Sequence, residues 1–221
     1  MITTLFKDRA EGGRYLAQKL SQYANDPNVI VLALPRGGVP VGYEVAQALK
    51  APLDVFVVRK LGVPGFEECA MGAIASGGIR VLNDNLIAYL RVPVDVVDKI
   101  TAEELTELER RERLYRGTRA PVDVTGHTVI IVDDGLATGS TMRAAVEALR
   151  KRNPKEIVVA VPVGARDTCD SFKNEVDTIA VCAITPEPFN AVGMWYRDFS
   201  QTTDAEVQRL LRRARQTKAA A

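Results

Sequence analysis

Residues 129–141 read Val-Ile-Ile-Val-Asp-Asp-Gly-Leu-Ala-Thr-Gly-Ser-Thr. Four apolar residues in a row suit a strand buried on both faces of a parallel sheet. Two carboxylates, Asp133 and Asp134, stand where that strand should end. A loop of small and hydroxyl-bearing residues follows, and Met142 to Arg152 reads as a helix. A loop that opens a helix presents several backbone N–H groups to an anion. One turn therefore offers acceptors for sugar hydroxyls and a cradle for a phosphate, and a phosphorylated sugar would satisfy both. A strand, an acidic turn and a helix with no ligand is the plainer alternative. A Walker phosphate loop is excluded, because it needs a lysine directly after its last glycine and Ser140 follows Gly139.

Apolar runs of strand length recur on either side of this stretch. Val29 to Leu34 reads as a strand, followed by a turn and a helix from Val41 to Leu49. Val55 to Val58 reads as the next strand. Gly72 to Ala75 and Ile79 to Leu82 read as short strands around Ser76-Gly77-Gly78, a hairpin turn. A helical region runs from Val94 to Arg116, and Thr101 with Glu104 has capping-box spacing, which predicts a new helix starting there. Ile157 to Val163 and Ile179 to Ile184 complete the strands, and a helix begun near Asp204 carries Val207, Leu210, Leu211 and Ala214 on one face. This alternation predicts an α/β fold: a mostly parallel sheet flanked by helices. Ligands in such sheets sit at the carboxyl ends of the strands. Both the loop after Asp134 and the turn after Leu34 lie at such ends. The expected organisation is a single domain over 1–221. Its core covers about 29–184, and a small C-terminal hood with the terminal helix covers about 185–217.

Length and composition narrow the classes. A chain of 221 residues suffices for one large α/β domain. The apolar fraction of 47% and the charged fraction of 26% are ordinary for a globular protein. A net charge of +1 gives no electrostatic reason to expect nucleic-acid binding. The N-terminal residues lack the apolar core of a signal peptide, and no apolar run approaches membrane-spanning length. Cys69, Cys169 and Cys182 are odd in number and widely spaced, which argues against a disulfide framework or a zinc cage and for a cytoplasmic location. His127 is the lone histidine and precedes the 129–132 strand, so histidine-based triads are disfavoured.

The ordered string from Val129 to Thr141 resembles the signature of type I phosphoribosyltransferases. These enzymes move the ribose phosphate of phosphoribosyl pyrophosphate (PRPP) onto a nitrogen acceptor. The resemblance implies that Asp133 and Asp134 face the ribose hydroxyls. It implies that Ala137, Thr138, Gly139, Ser140 and Thr141 cradle the 5′-phosphate. Ser140 stands where glycine is more usual, and it keeps its N–H while adding a hydroxyl. Leu34-Pro35-Arg36-Gly37-Gly38-Val39-Pro40 resembles the family's pyrophosphate loop, so Arg36, Gly37 and Gly38 are expected at the pyrophosphate. Two glycines allow close backbone approach to a ligand, and an ordinary strand-to-helix turn is the alternative. Arg59 and Lys60 resemble the Arg-Lys pair that precedes the flexible loop of orotate phosphoribosyltransferases and are expected to act in catalysis. Residues 61–68 would then form a lid. That loop carries Glu67 and Glu68 in place of the orotate enzymes' lysine and histidine.

The resemblance also implies Mg²⁺ as cofactor, held mainly by PRPP and water and not by protein side chains alone. Expected partners are PRPP and a small nitrogen acceptor, with no membrane and no nucleic acid, in a homo-oligomer, a dimer. Phe189, Trp195 and Tyr196 in the hood are candidates for stacking on the acceptor ring; alternatively they pack the hood against the sheet. The arginine-rich stretch 109–116 reads as a surface ion-pair helix, or as an arginine reaching the phosphate site or a subunit contact. The expected function is a phosphoribosyltransferase that releases pyrophosphate. The alternative is a non-catalytic PRPP-binding regulatory protein of the same fold.

Overall fold

The computed structural model describes residues 6–173 and 178–219. Its first elements are α1 (Arg9–Lys19), β1 (Val29–Ala33), α2 (Gly38–Leu49), β2 (Leu53–Val55), β3 (Val58–Val63), β4 (Phe66–Ala75) and β5 (Ile79–Leu82). Next come α3 (Asp84–Leu90), α4 (Val94–Arg116), β6 (Thr128–Val132) and α5 (Ser140–Arg150). The last are β7 (Glu156–Val163), α6 (Arg166–Lys173), β8 (Thr178–Ile184) and α7 (Asp204–Ala219). The chain forms two compact units. The first comprises Met1–Val55, Val122–Gly139 and Asn153–Ala221, and the second Phe56–Pro121 and Ser140–Arg152.

The first unit is built on a five-stranded sheet in the order β2-β1-β6-β7-β8, with every pair parallel. Val29 to Ala33 and Thr128 to Val132 are buried throughout, as continuous apolar runs covered on both faces require. Helices α1, α2 and α7 pack with one another or with this sheet, and α6 packs on β8. On α7, Val207, Leu210 and Leu211 are buried, the face that the sequence periodicity predicts.

The second unit is a three-stranded antiparallel sheet, β3-β4-β5, packed against α4 and α5. The hairpin expected around Ser76-Gly77-Gly78 joins β4 to β5. One expectation gives way here. The strand predicted over Val55–Val58 is broken: β2 ends at Val55, and β3 begins at Val58 in the other sheet. Ser76 explains the break. Its hydroxyl accepts from Val57 N at 2.9 Å, and its own N–H donates to Val57 O at 2.9 Å, which draws Val57 to the hairpin. Residues 61–68, expected as a lid, form a hairpin, with β3 and β4 paired from Val58↔Ala75 to Val63↔Phe66 around Pro64-Gly65.

Two further corrections concern single residues. Helix α4 runs unbroken through Thr101, whose hydroxyl donates back to Val97 O at 2.7 Å instead of capping a new helix. Glu104 is engaged elsewhere, by Arg59 Nε at 2.5 Å. Cys169 on α6 and Cys182 on β8 are joined in a disulfide, with Cα atoms 6.3 Å apart, because the helix packs directly on that strand.

Candidate functional site

The site in the first unit grows from the ends of β1 and β6. Leu34 N donates to Val132 O at 2.9 Å, so the turn after β1 stays zipped to the strand that delivers the aspartates. Residues 35–37 then lead into α2 across a cis Pro35–Arg36 peptide. Gly37 and Gly38 lie directly on the acidic pair. A Cβ on Gly37 would stand 2.1 Å from Asp134 Oδ2, and one on Gly38 would stand 2.6 Å from Val132 O and 3.2 Å from Asp133 Oδ1. Glycine is needed here for close approach of two chain segments, whatever ligand the loop meets.

The two carboxylates are held asymmetrically. Asp133 Oδ1 accepts from Asp134 N at 2.8 Å. Asp134 Oδ2 accepts from Arg9 Nε at 2.8 Å, an ion pair whose side chains are 11% and 16% exposed. Burial first, and the neighbouring Asp134 charge second, push the Asp133 carboxyl well above the ordinary carboxylate range. Burial also raises Asp134, while its hydrogen bond and ion pair with Arg9 pull the other way. Two like charges withdrawn from water disfavour joint ionisation, and Arg9 is the cation set against that tendency.

Arg9 was not anticipated. Phe6 N donates to Trp195 O at 3.1 Å, Arg197 N donates to Phe6 O at 2.9 Å, and Asp198 N donates to Lys7 O at 2.9 Å. This ladder ends at Asp8, which caps α1 by accepting from Glu11 N at 2.8 Å. Arg9 is therefore delivered to Asp134 by the hood. Its Nη1 donates to Ser200 O at 2.7 Å, and its guanidinium lies 3.9 Å from the Phe199 ring centroid.

Beyond Asp134 the loop is braced from behind. Leu136 N donates to Val163 O at 3.0 Å, Ala165 N to Leu136 O at 2.8 Å, and Thr168 Oγ1 to Ala137 O at 2.6 Å. A Cβ on Gly135 would meet Val192 Cγ1 at 2.3 Å. Gly139 is buried with φ at +75°, a left-handed conformation that glycine adopts freely. Ser140 and Thr141 are exposed and open α5. Ala137 and Thr138 are exposed as well.

The hood aromatics divide. Tyr196 is 4% exposed and packs with Phe6 and Phe199 at centroid distances of 5.6 and 5.3 Å. Its hydroxyl donates to Asp134 O at 2.6 Å, and burial raises its pKa above that of a free phenol. Tyr196 is thus a packing residue that fixes the Asp134 backbone, and its enclosed ring is no stacking platform. Phe189 and Trp195 are partly buried and stacked on each other, with centroids 6.5 Å apart.

In the second unit, Arg59 and Lys60 lie inside β3, opposite Ile74 and Ala73 of β4, and not at a strand end before a loop. The arginine-rich stretch carries helical ion pairs: Glu112 accepts from buried Arg116 at 2.5 Å, and Glu107 accepts from Arg110 and Arg111, both at 2.7 Å. Those two contacts hold the Glu107 carboxyl down to about 2. Among the described residues no helix is long and apolar enough to cross a membrane.

Residues 3–193 match the family model for the phosphoribosyl transferase domain. The Mycobacterium tuberculosis protein Rv0571c, to which a phosphoribosyl transferase role is attributed by name, is 47% identical over 210 residues, which are 95% of this chain and 47% of that protein. The chain thus spans about half the length of such curated relatives. The bifunctional protein PyrR of Halalkalibacterium halodurans is 37% identical over 109 residues, 44% of this chain and 58% of that one. The crystal structure of TT1426 from Thermus thermophilus superposes with a TM-score of 0.82 at 38% identity, covering 94% of this chain and 97% of that chain. The family model covers most of the chain and Rv0571c is 47% identical over 95% of it, so the chain belongs to the phosphoribosyl transferase family.

Proposed function

We propose that this chain transfers ribose 5-phosphate from Mg²⁺-bound PRPP to a nitrogen acceptor, probed first as a nucleobase, and releases pyrophosphate. The observation that carries the reading is the half-buried Asp133–Asp134 pair at the end of β6 with the Gly37–Gly38 turn laid against it. One oxygen of each carboxylate is used internally, by Asp134 N and by Arg9 Nε. The accepting capacity of the pair beyond these two contacts is what the reading assigns to two sugar hydroxyls. In the reaction the bond from the anomeric carbon to pyrophosphate breaks, and its electron pair leaves with the pyrophosphate. The acceptor nitrogen supplies the pair for the new carbon–nitrogen bond and sheds a proton. Positive charge builds on the sugar between these events, and carboxylates fixed beside it stabilise that charge without reorganising.

Mg²⁺ enters as part of the substrate complex. With one Asp134 oxygen taken by Arg9 and one Asp133 oxygen by a backbone N–H, the pair has too few donors for an all-protein cage. Arg36 is proposed for the pyrophosphate through the turn it occupies. Arg59 and Lys60 keep a proposed role as cations of the reaction. Residues 137–141 are proposed to take the 5′-phosphate, and a cytoplasmic homodimer is the proposed working state.

A second reading, a PRPP-binding regulator, is favoured by one observation: Tyr196 turns inward and offers no ring to an acceptor. The deciding experiment incubates the chain with Mg²⁺, PRPP and a panel of purine and pyrimidine bases, and follows pyrophosphate release against a base-free control. Base-dependent release supports the transferase. PRPP binding without release by any base supports the regulator.

A further inference from the structure

We infer that Arg9 is a positioning residue for the PRPP site: it keeps Asp134 ionised and turned so that one oxygen stays open to the ribose. The inference rests on the reading of Asp133 and Asp134 as the ribose acceptors.

Three facts place Arg9 in that role. First, its position is not explained by the helix it starts. A cation in the first turn faces the positive end of the helix dipole, and α1 already has its N-cap in Asp8 and its favourable acid in Glu11. Second, the side chain is fixed at three points: Asp134 Oδ2, Ser200 O and the Phe199 ring. A guanidinium held this way fixes the carboxylate plane, which a freely rotating ammonium would not do. Third, the groups facing Asp134 are otherwise unhelpful to its charge. Asp133 brings a like charge on the same chain end, and Tyr196 from the hood brings a phenol that donates to the Asp134 backbone carbonyl and not to its carboxylate. Arg9 from α1 is the cation in contact, and the Gly37 backbone on the remaining side is neutral. A protonated Asp134 would lose an acceptor for a sugar hydroxyl and its electrostatic hold on a developing sugar cation. Arg9 protects both.

The test is calorimetric titration of Mg²⁺-PRPP into the full chain and its Arg9→Gln and Arg9→Lys variants, from about pH 6 to about pH 8.5. Wild-type binding comes first. If the wild type does not bind PRPP at any pH, the ribose reading itself falls. If it binds, Arg9→Gln, which loses both the charge and the fork that fixes the carboxylate plane, should bind more weakly than wild type already at the alkaline end. Towards the acid end it should weaken by up to about tenfold per pH unit, relative to wild type at the same pH, as Asp134 takes up its proton. Arg9→Lys keeps the charge and should follow the wild-type pH profile. A role confined to packing would lower affinity by one factor at every pH. That outcome, or wild-type affinity of Arg9→Gln at about pH 6, overturns the inference. Should Arg9→Gln fail to fold, Arg9→Lys decides by the same titration: a pH profile that departs from the wild type's refutes the role.

Discussion

Replacing Gly37 by alanine puts a methyl carbon 2.1 Å from Asp134 Oδ2 and 2.7 Å from Asp134 Cγ. A comfortable contact needs about 3.5 Å, so the carboxylate or the turn must give by roughly 1.4 Å. The carboxylate cannot swing away freely, because Arg9 holds the same oxygen at 2.8 Å. Forced overpacking of this kind costs about 1–3 kcal/mol. Alanine recovers about 0.4–1 kcal/mol by restricting the unfolded chain, since Gly37 sits at φ −60°, ψ −34°, which alanine accepts. A net loss of about 1–2 kcal/mol corresponds to a melting point lower by about 2–8 °C for a chain of this size. The decisive assay is a double-mutant cycle by urea unfolding. Asp134→Ala removes both clashing atoms, so Gly37→Ala in that background should be neutral or mildly stabilising, a coupling of at least about 1 kcal/mol. Gly38→Ala is the control. Its methyl would meet Val132 O at 2.6 Å, a backbone atom of β6, so its cost should be the same with or without the Asp134 carboxylate. Equal costs for Gly37→Ala in both backgrounds would refute the claim that this turn rests on the Asp134 side chain.

Three further outcomes follow from the same geometry. Asp133→Asn should raise the melting temperature at about pH 8: the native carboxyl titrates above its unfolded value of about 4, so ionisation costs stability as pH rises through that window, and the gain should vanish below it; a variant that melts lower than wild type at alkaline pH contradicts the buried-pair account. Tyr196→Phe leaves Asp134 O without its donor and should cost about 1–2 kcal/mol, or about 2–8 °C by scanning calorimetry; an unchanged melting point would remove Tyr196 as the brace. Gly139→Val forces a β-branched residue into φ +75° and should abolish PRPP binding in titrations of protein that still folds, whereas retained wild-type affinity would displace the phosphate from residues 137–141.

The parallel sheet was legible because β1, β6 and β7 are buried on both faces and therefore had to be written as unbroken apolar runs. The acidic pair was legible for a related reason: carboxylates directly after such a run have no packing purpose. Helix α1 was hidden. It carries Gly12 and Gly13, residues of low helix propensity that are there for close packing. A Cβ on Gly13 would stand 2.8 Å from Val41 O, and one on Gly12 would stand 3.1 Å from Pro162 Cβ. With α1 unseen, Arg9 could not be assigned. The capping-box spacing of Thr101 and Glu104 was a false start signal, since both side chains had nearer partners in a helix that was already running. The Cys169–Cys182 pairing depends on α6 lying against β8, a tertiary contact that residue spacing does not encode.

The hood also bears directly on the acidic pair. Two neighbouring carboxylates out of water disfavour the unit that holds them. What offsets this comes from far along the chain: Arg9 supplies a charge, Tyr196 fixes the carbonyl of Asp134, and Val192 closes on Gly135. Residues 6–7 pair with the backbone of 195–198, so Arg9 and Tyr196 reach Asp134 as one assembly. Loosening the hood would therefore disturb the side chain and the backbone of the same aspartate together. The backbone ladder between 6–7 and 195–198 thus sets the positions of the two residues, Arg9 and Tyr196, that hold Asp134.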